Sequence, residues 1–459
     1  MQPASAAYYI FIVAVFFLYW TAARHRLARL AVILLANYFF SARFGIFYVL
    51  LLPVCSFVDY AVGLGLMRFE SRGLRRVLLG ISVSLNLALL ALSRYMPWFL
   101  TARHGATTWS WIFPLGLSFY VFQALSYTID LYRRDGEGTT SLLAHLSAVS
   151  FFPTLQAGPI TRVSDLIKQF AAEASLSRAA GAQALFLIGV GLLKKFLFAD
   201  YLGDNFVNRV FDTPKLYSGA EVLLAVYAYS VQLYCDFSGY TDIARGTAML
   251  LGIRLPINFD RPYLAANPQE FWRRWHITFS NWLRDYLYFS LPGKRGRFLP
   301  YLNLVITMVL GGLWHGVTWT FAAWGLLHGG ALAASRRWQA ARRGQPVNPW
   351  SRPFRIFATY NFVCLTWVFF RASDIANALD VLGRIASMSI SFENVTAALL
   401  LALLVPIAAH FVSKEQYGRI LNAFAASPGW VHAGALLLVA VAIELLGGNG
   451  GAPFVYSRF

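Results

Sequence analysis

The sequence predicts an all-α, polytopic integral membrane protein, and three observations carry that prediction. Of 459 residues, 58% are hydrophobic and only 13% charged, with a mean hydropathy of +0.54. Apolar runs recur from the N-terminus to about residue 446, and at about twenty residues per span they predict roughly 11–13 transmembrane and re-entrant helices. The 39 Lys and Arg, against 21 Asp and Glu, give a formal net charge of +18 and sit in short loops between those runs. In a soluble chain this charge would raise nucleic acid as a partner; here it sets topology and meets anionic lipid headgroups, so membrane lipid is expected and nucleic acid is not. The whole chain, 1–459, is expected to form one integral-membrane domain.

In chain order, residues 1–9 carry no basic side chain, and the first apolar run ends at Trp20, before Arg24, His25, Arg26 and Arg29. This predicts no cleavable signal peptide, a cytoplasmic first loop and an N-terminus outside. Spans near 8–22, 30–42 and 45–67 lead to the basic loop 68–76, and spans near 77–100 and 109–130 return the chain to Arg133 and Arg134. Residues 145–160, with Pro153 and Pro159, are too few for a span and read as a re-entrant or broken helix. Backbone of that kind is tolerated only inside protein or along a wet cavity, so a polar cavity is implied. FFPTLQAGPITR, 151–162, with Gln156 and Arg162 as its polar groups, is expected to line it, as the same cavity onto which His315 opens; a cytoplasmic loop cap is the alternative. Apolar runs near 182–199 and 220–236 follow. In YCDFSGYTDIA, 234–244, Asp236 and Asp242 read either as a general acid and base or as a capping cluster at a helix end near Gly239.

Two stretches carry the chemistry. FWRRWHITFSNWLRDYLY, 271–288, at helical spacing puts Trp272, Trp275, His276, Phe279, Leu283 and Tyr286 on one face and Arg273, Arg274, Thr278, Asn281, Arg284 and Asp285 on the other. It is expected to be one amphipathic helix lying in the membrane interface, with arginines suited to phosphates; lipid headgroups would satisfy them equally. Lys294, Arg295 and Arg297 mark the cytoplasmic side. NLVITMVLGGLWHGVTWTFAAWGLLHG, 303–329, is long enough to cross a bilayer and holds His315 at its middle, beside Trp314 and just after Gly311 and Gly312. A polar group in hydrocarbon without a partner costs a few kcal/mol, so His315 is the first candidate for chemistry. The glycines let other backbone, or a thin substrate, come close to the ring, and they weaken the helix enough to permit a break there. A histidine hydrogen-bonded across helices as packing glue is the alternative.

Beyond a basic loop at 336–343, spans lie near 354–371, 394–413 and 430–446, with His410 and His432 at span ends read as structural. Cys55, Cys235 and Cys364 read as ordinary buried thiols, and no spacing suggests a metal site. The end, 447–459, puts Phe454, Tyr456 and Phe459 after a glycine tract, too aromatic for a free polar tail, and is expected to dock.

Together FFPTLQAGPITR, CDFSGYTDIA, FWRRWHITFSNWLRDYLY and GGLWHGVTWTFAAWGLLHG resemble the membrane-bound O-acyltransferase (MBOAT) family. The likeness is to its bacterial branch of alginate O-acetyltransferase membrane subunits, cousins of the teichoic-acid D-alanyl transfer proteins, and is densest over about 110–330. The resemblance implies an MBOAT-like helical bundle around a central funnel, with His315 as the essential histidine, His276 as a second recurrent one, and His328 where relatives often show another. It implies an acyl group taken from a cytoplasmic thioester, acetyl-CoA or another, with no tightly bound cofactor. The group passes across the bacterial inner membrane to O-acetylate a cell-surface or exported polysaccharide, with a periplasmic SGNH-hydrolase-like acetyltransferase as partner. Tyr456 matches a terminal Tyr-x-(Arg or Gln)-Phe pattern and is implied as an acyl relay. His315 would act as the general base, and the arginines would hold the donor's phosphates. Gln156, Asn281, Trp314 and the amides near Gly316 are the candidate oxyanion donors. D-alanyl or other acyl transfer from an acyl carrier protein, and a non-catalytic transporter or scaffold, remain the alternatives.

Overall fold

The computed structural model describes residues 5–43, 45–104, 116–293, 298–342 and 350–446, and among them every regular element is a helix. Among the described residues, five helices are long and apolar enough to cross a membrane: Val49–Arg68, Arg72–Leu92, Arg178–Asp212, Ser351–Arg371 and Gly429–Leu446. A sixth span results if Ala397–Ala409 and Lys414–Ala426, bent by 101°, count as one. Further apolar helices, Ala6–Thr21, Leu142–Leu155 and Leu299–His315, are shorter. The chain is a multi-pass, all-helical membrane protein, as its composition predicts. It falls into two compact units, Met1–Ile188 with Tyr240–Pro256, and Gly189–Gly239 with Ile257–Phe459.

The first unit holds α1 (Ala6–Thr21), α2 (Arg26–Ala42), α3 (Ile46–Arg68), α4 (Arg72–His104), α5 (Leu117–Arg133), α6 (Leu142–Val149), α7 (Phe152–Leu155) and α8 (Val163–Ala171). The break expected within 145–160 falls between α6 and α7. Buried Asn37 of α2 satisfies it: its amide nitrogen donates to Ser147 O (3.0 Å) and Ser150 Oγ (3.2 Å), and its oxygen accepts from Phe152 N (2.9 Å). One side chain thus supplies the partners that interrupted backbone inside a membrane protein requires. Buried Asp59 of α3 is likewise held by Ser82 Oγ (2.6 Å) and the Asn86 amide (3.1 Å to each carboxylate oxygen) of α4.

α9 (Arg178–Leu193) begins in the first unit and ends in the second, running on as a π-helix over Lys194–Asp200; α10 (Asn208–Asp212) follows, and α11 (Gly219–Leu250) starts in the second unit and ends in the first. The helix end expected near Gly239 is absent, because α11 continues through it. Gly239 is there for close packing: a Cβ on it would lie 2.7 Å from Gly191 O. Asp236 lies inside that helix, and with Asp200 it grips Lys195 at 2.8 and 2.7 Å, all three side chains buried. Asp242 pairs instead with Arg245, 3.7 Å away on the same helix.

Next come α12 (Pro268–Trp272), α13 (Ile277–Trp282), α14 (Leu299–His315) and α15 (Trp319–Ala341). The run 303–329 is therefore not one span but a helical hairpin. Its turn, 316–318, ends in Thr318, whose hydroxyl caps α15 by accepting from Phe321 N. Small residues let the two backbones touch: a Cβ on Gly325 would meet Met308 O at 2.5 Å, and one on Gly329 would meet Val305 Cα at 2.7 Å. Gly325→Ala should therefore overpack the hairpin and cost about 1–3 kcal/mol, read as a lowered Tm in detergent, whereas Gly330→Ala, with open space around it, should cost nothing. The unit closes with α16 (Ser351–Arg371), α17 (Ile375–Ala386), α18 (Ala397–Ala409), α19 (Lys414–Ala426) and α20 (Gly429–Leu446). His410 and His432 each sit on a backbone carbonyl, of Pro406 (2.8 Å) and Phe424 (2.7 Å), as structural histidines do.

Candidate active site

The tryptophan–arginine stretch is not the single interfacial helix that its periodicity predicts. Asn267 caps α12, with its oxygen accepting from Glu270 N at 2.8 Å and Pro268 in the first turn. The helix ends at Trp272, and at His276 the backbone turns left-handed (φ 42°, ψ 55°) before α13 begins. That conformation costs an ordinary residue about 1–2 kcal/mol, though His adopts it more readily than most. The segment 258–260 imposes it. Asp260 N donates to Arg274 O (2.9 Å), Ile277 N to Asn258 O (3.0 Å), and Thr278 N and Oγ1 both reach Asn258 Oδ1 (3.2 and 3.0 Å). Strained backbone held so firmly is common where geometry serves chemistry. Asn258→Ala should release it: a buried amide and hydroxyl lose their acceptor, with about 1–3 kcal/mol of stability lost on a melting curve.

The six residues read as one face, Trp272, Trp275, His276, Phe279, Leu283 and Tyr286, are all buried. They face protein and not an interface, and Thr278, assigned to the polar face, is buried with them. After α13 the chain winds as a π-helix over Leu283–Leu287.

His315 is the last residue of α14 and is 3% exposed. Five aromatic rings surround it, with centroids at 4.6 Å (Trp314), 4.9 Å (Phe370), 5.6 Å (Trp324) and 6.0 Å (Phe279 and Phe321). His276 joins the same cluster: its ring stacks on Phe279 at 4.9 Å and lies 6.5 Å from Trp314. Phe279 and Trp314 themselves stack at 4.6 Å, so the two candidate histidines share both aromatic neighbours. The imidazole of His315 does not stand open on a polar cavity, as its sequence context led one to expect; it is boxed.

A cavity of about 620 Å³ lies next to the box. Its polar lining includes Arg273, Arg284, Arg336, Gln269, Ser280 and Thr307. Leu283 also lines it and reaches to 3.0 Å of a Cβ position on Gly311, one turn before His315, where Phe279 closes in at 3.7 Å. Leu283 of the cavity wall and Phe279 of the box thus meet at Gly311.

The predicted binding residues divide. Arg273 and Arg284 face the cavity, the latter also paired with Asp285 at 2.7 Å. Arg274 does not: it is committed to Glu270 (2.8 Å) and to Asp260 O (3.1 Å), bracing the break at His276. Burial raises the Glu270 carboxyl, but the Ala266 amide, Arg274 and Arg352 outweigh it and hold the group below its usual range. Asn281 is exposed and does not line the cavity. Gln156, nearly buried, and Arg162, near Asp130, belong to the first unit. Tyr456 and the rest of 447–459, and Lys294, Arg295 and Arg297, lie outside the described residues. Arg336 was readable only as loop charge, yet it sits on α15 with its guanidinium 2.8 Å from Tyr288 Oη. His328, Leu332 and Arg336 recur every four residues on one stripe of that helix, a spacing that could have linked it to the site.

Comparison with known proteins agrees with this architecture. The family model described as MBOAT, membrane-bound O-acyltransferase family, matches residues 47–372. The chain belongs to that family. A probable alginate O-acetylase AlgI of Azotobacter vinelandii is 42% identical over 287 residues, 62% of this chain and 55% of that protein. A peptidoglycan O-acetyltransferase of Helicobacter pylori is 36% identical over 383 residues, 76% of this chain and 72% of that one. A teichoic acid D-alanyltransferase of Streptococcus thermophilus is 29% identical over 289 residues, 56% and 68%. The chain thus spans about half the length of the first relative and about seven-tenths of the other two. The MBOAT match covers both the boxed histidines and the cavity beside them, and places the chain among membrane acyltransferases.

Proposed function

We propose that this MBOAT protein takes an acetyl group from a cytoplasmic thioester, acetyl-CoA in the first instance, and passes it to a hydroxyl for O-acetylation of a cell-surface or exported polysaccharide. The observation that carries the reading is the buried imidazole of His315 on α14, with a cavity bearing three guanidinium groups whose wall residue Leu283 meets that helix at Gly311, one turn earlier. Guanidinium forks suit the phosphates of a nucleotide or pantetheine donor. In the reaction, the acceptor oxygen attacks the thioester carbon while His315 Nε2 or Nδ1 takes the hydroxyl proton. The C–S bond then breaks, and the imidazolium returns the proton to the departing thiolate, so no net proton is consumed. The aromatic box excludes water, which would otherwise compete as acceptor. For the acyl carbon to reach the ring, Phe279 or Leu283 must swing aside. His276, strained and sharing both aromatic neighbours, is the second histidine of the reaction, and Trp314 borders the same space.

The acceptor hydroxyl is either Tyr456, relaying the acetyl group, or one brought by a periplasmic SGNH-hydrolase-like partner. The protein would sit in the bacterial inner membrane with its N-terminus outside. Relatives named for O-acetyl transfer are more similar to this chain, at 42% and 36%, than the D-alanyltransferase at 29%, which favours acetyl over D-alanyl from a carrier protein. Purified protein in proteoliposomes, given radiolabelled acetyl-CoA, separates these. Label should pass to protein or acceptor, and Arg273→Gln with Arg284→Gln should raise KM for acetyl-CoA by tenfold or more, as expected for lost charge-assisted hydrogen bonds worth roughly 1.5–3 kcal/mol each. Transfer from an acylated carrier protein alone would reject acetyl-CoA as donor, and an unchanged KM would remove the arginines from the donor site.

A further inference from the structure

Trp272, His328 and Thr366 form a buried chain of hydrogen bonds across three helices. Trp272 Nε1 lies 3.3 Å from His328 Nδ1, and His328 Nε2 lies 2.9 Å from Thr366 Oγ1, which is also 2.7 Å from Val363 O. His328 and Thr366 are fully buried and Trp272 nearly so. The direction of each bond follows from what its ends can do. An indole N–H only donates, so His328 Nδ1 must present a bare lone pair. A backbone carbonyl only accepts, so the Thr366 proton is spent on Val363 and its oxygen must accept from His328 Nε2–H. Both ends demand the same neutral tautomer. With both ring nitrogens engaged, His328 is no proton carrier, unlike the role open to His315.

This chain ends on the cavity, because Trp272 is part of its wall beside Arg273. We propose that Thr366 is a positioning residue for the donor cavity: by accepting the His328 Nε2–H, it seats the ring with Nδ1 on the Trp272 indole and holds that wall in place. The assignment to the donor rests on reading the cavity as the acetyl-CoA site; the hydrogen-bond chain itself does not. Without the Thr366 hydroxyl, the Nε2–H is left buried and unsatisfied. The ring is then drawn off its seat toward another acceptor, and the Trp272 N–H loses its Nδ1 partner.

Two measurements on the full-length protein in proteoliposomes or micelles test this. Thr366→Val should raise KM for acetyl-CoA about tenfold, the equivalent of one buried hydrogen bond, with kcat within twofold of the parent, and Thr366→Ser should restore it. An unchanged KM, or a fall in kcat matched by loss of folded protein in both variants, would overturn the positioning role. The second measurement needs no activity: in protein labelled with 15N-histidine, the resonances lost in His328→Gln should report Nε2–H with a bare Nδ1, and Thr366→Val should shift both as the two hydrogen bonds weaken. An Nδ1–H or charged His328 in the parent would overturn the chain. A correct tautomer in a protein that transfers no acetyl group would uphold the chain while removing the acetyl-CoA reading.

Discussion

His315→Asn should lower acyl transfer by about 10²–10⁴-fold, the usual contribution of a positioned general base, while leaving a folded protein in the membrane. The expected residual activity is that of donor binding alone, so KM for the donor should barely move while kcat falls. His276 provides the internal contrast. Its backbone is left-handed, a conformation that Asn adopts with little strain and Ala does not. His276→Asn should therefore keep the fold and reveal only the loss of the imidazole, whereas His276→Ala should lose stability as well. The order of damage to transfer, with melting temperatures measured alongside, is His315→Asn worst, then His276→Ala, then His276→Asn. Full activity in His315→Asn, with normal expression, would move the chemistry elsewhere in the molecule.

Much of this site was legible because its determinants are local or periodic. An ionisable ring beside paired glycines in an apolar run marked His315, and helical spacing marked the six buried residues from Trp272 to Tyr286, although not the break among them. That break was hidden because its cause lies outside the stretch: Asn258 and Asp260 hold His276 in a conformation that periodicity on either side gives no sign of. At Gly239 glycine read as a helix end and serves instead as a contact point inside a continuous helix, whereas in 303–329 the break that the glycines were read as permitting is a full turn at 316–318, with Gly325 and Gly329 letting the two helices touch. Two prolines and a short apolar run sufficed to read the interruption between α6 and α7, but not that Asn37, over a hundred residues earlier, satisfies it. Arg274 and Arg273 are adjacent and chemically identical in sequence. Only the fold assigns one to Glu270 and the other to the cavity.

Lys195→Met should be the most destabilising single change in the second unit, and its reason is charge counting. Lys195 lies between Asp200 and Asp236 with all three side chains at most 7% exposed, so its removal leaves two carboxylates facing each other in apolar surroundings. Removing one partner from a buried ion pair costs about 3–5 kcal/mol, enough to abolish accumulation of the protein. The geometry depends on the local winding. Lys195 and Asp200 are five residues apart, on different faces of an α-helix but brought together by the wider turn of the π-helix over Lys194–Asp200. That is why two lysines in the apolar run 182–199 gave no hint of a partner. Because the cluster holds one ammonium for two carboxylates, Asp200→Asn leaves a balanced Lys195–Asp236 pair and should be tolerated. Asp200→Asn combined with Asp236→Asn strands the ammonium and should be as damaging as Lys195→Met. Expression level and melting temperature across these variants, analysed as a cycle, should show strong coupling between the two aspartates. Additive effects would mean that the three charges are stabilised separately and that the π-turn has some other use.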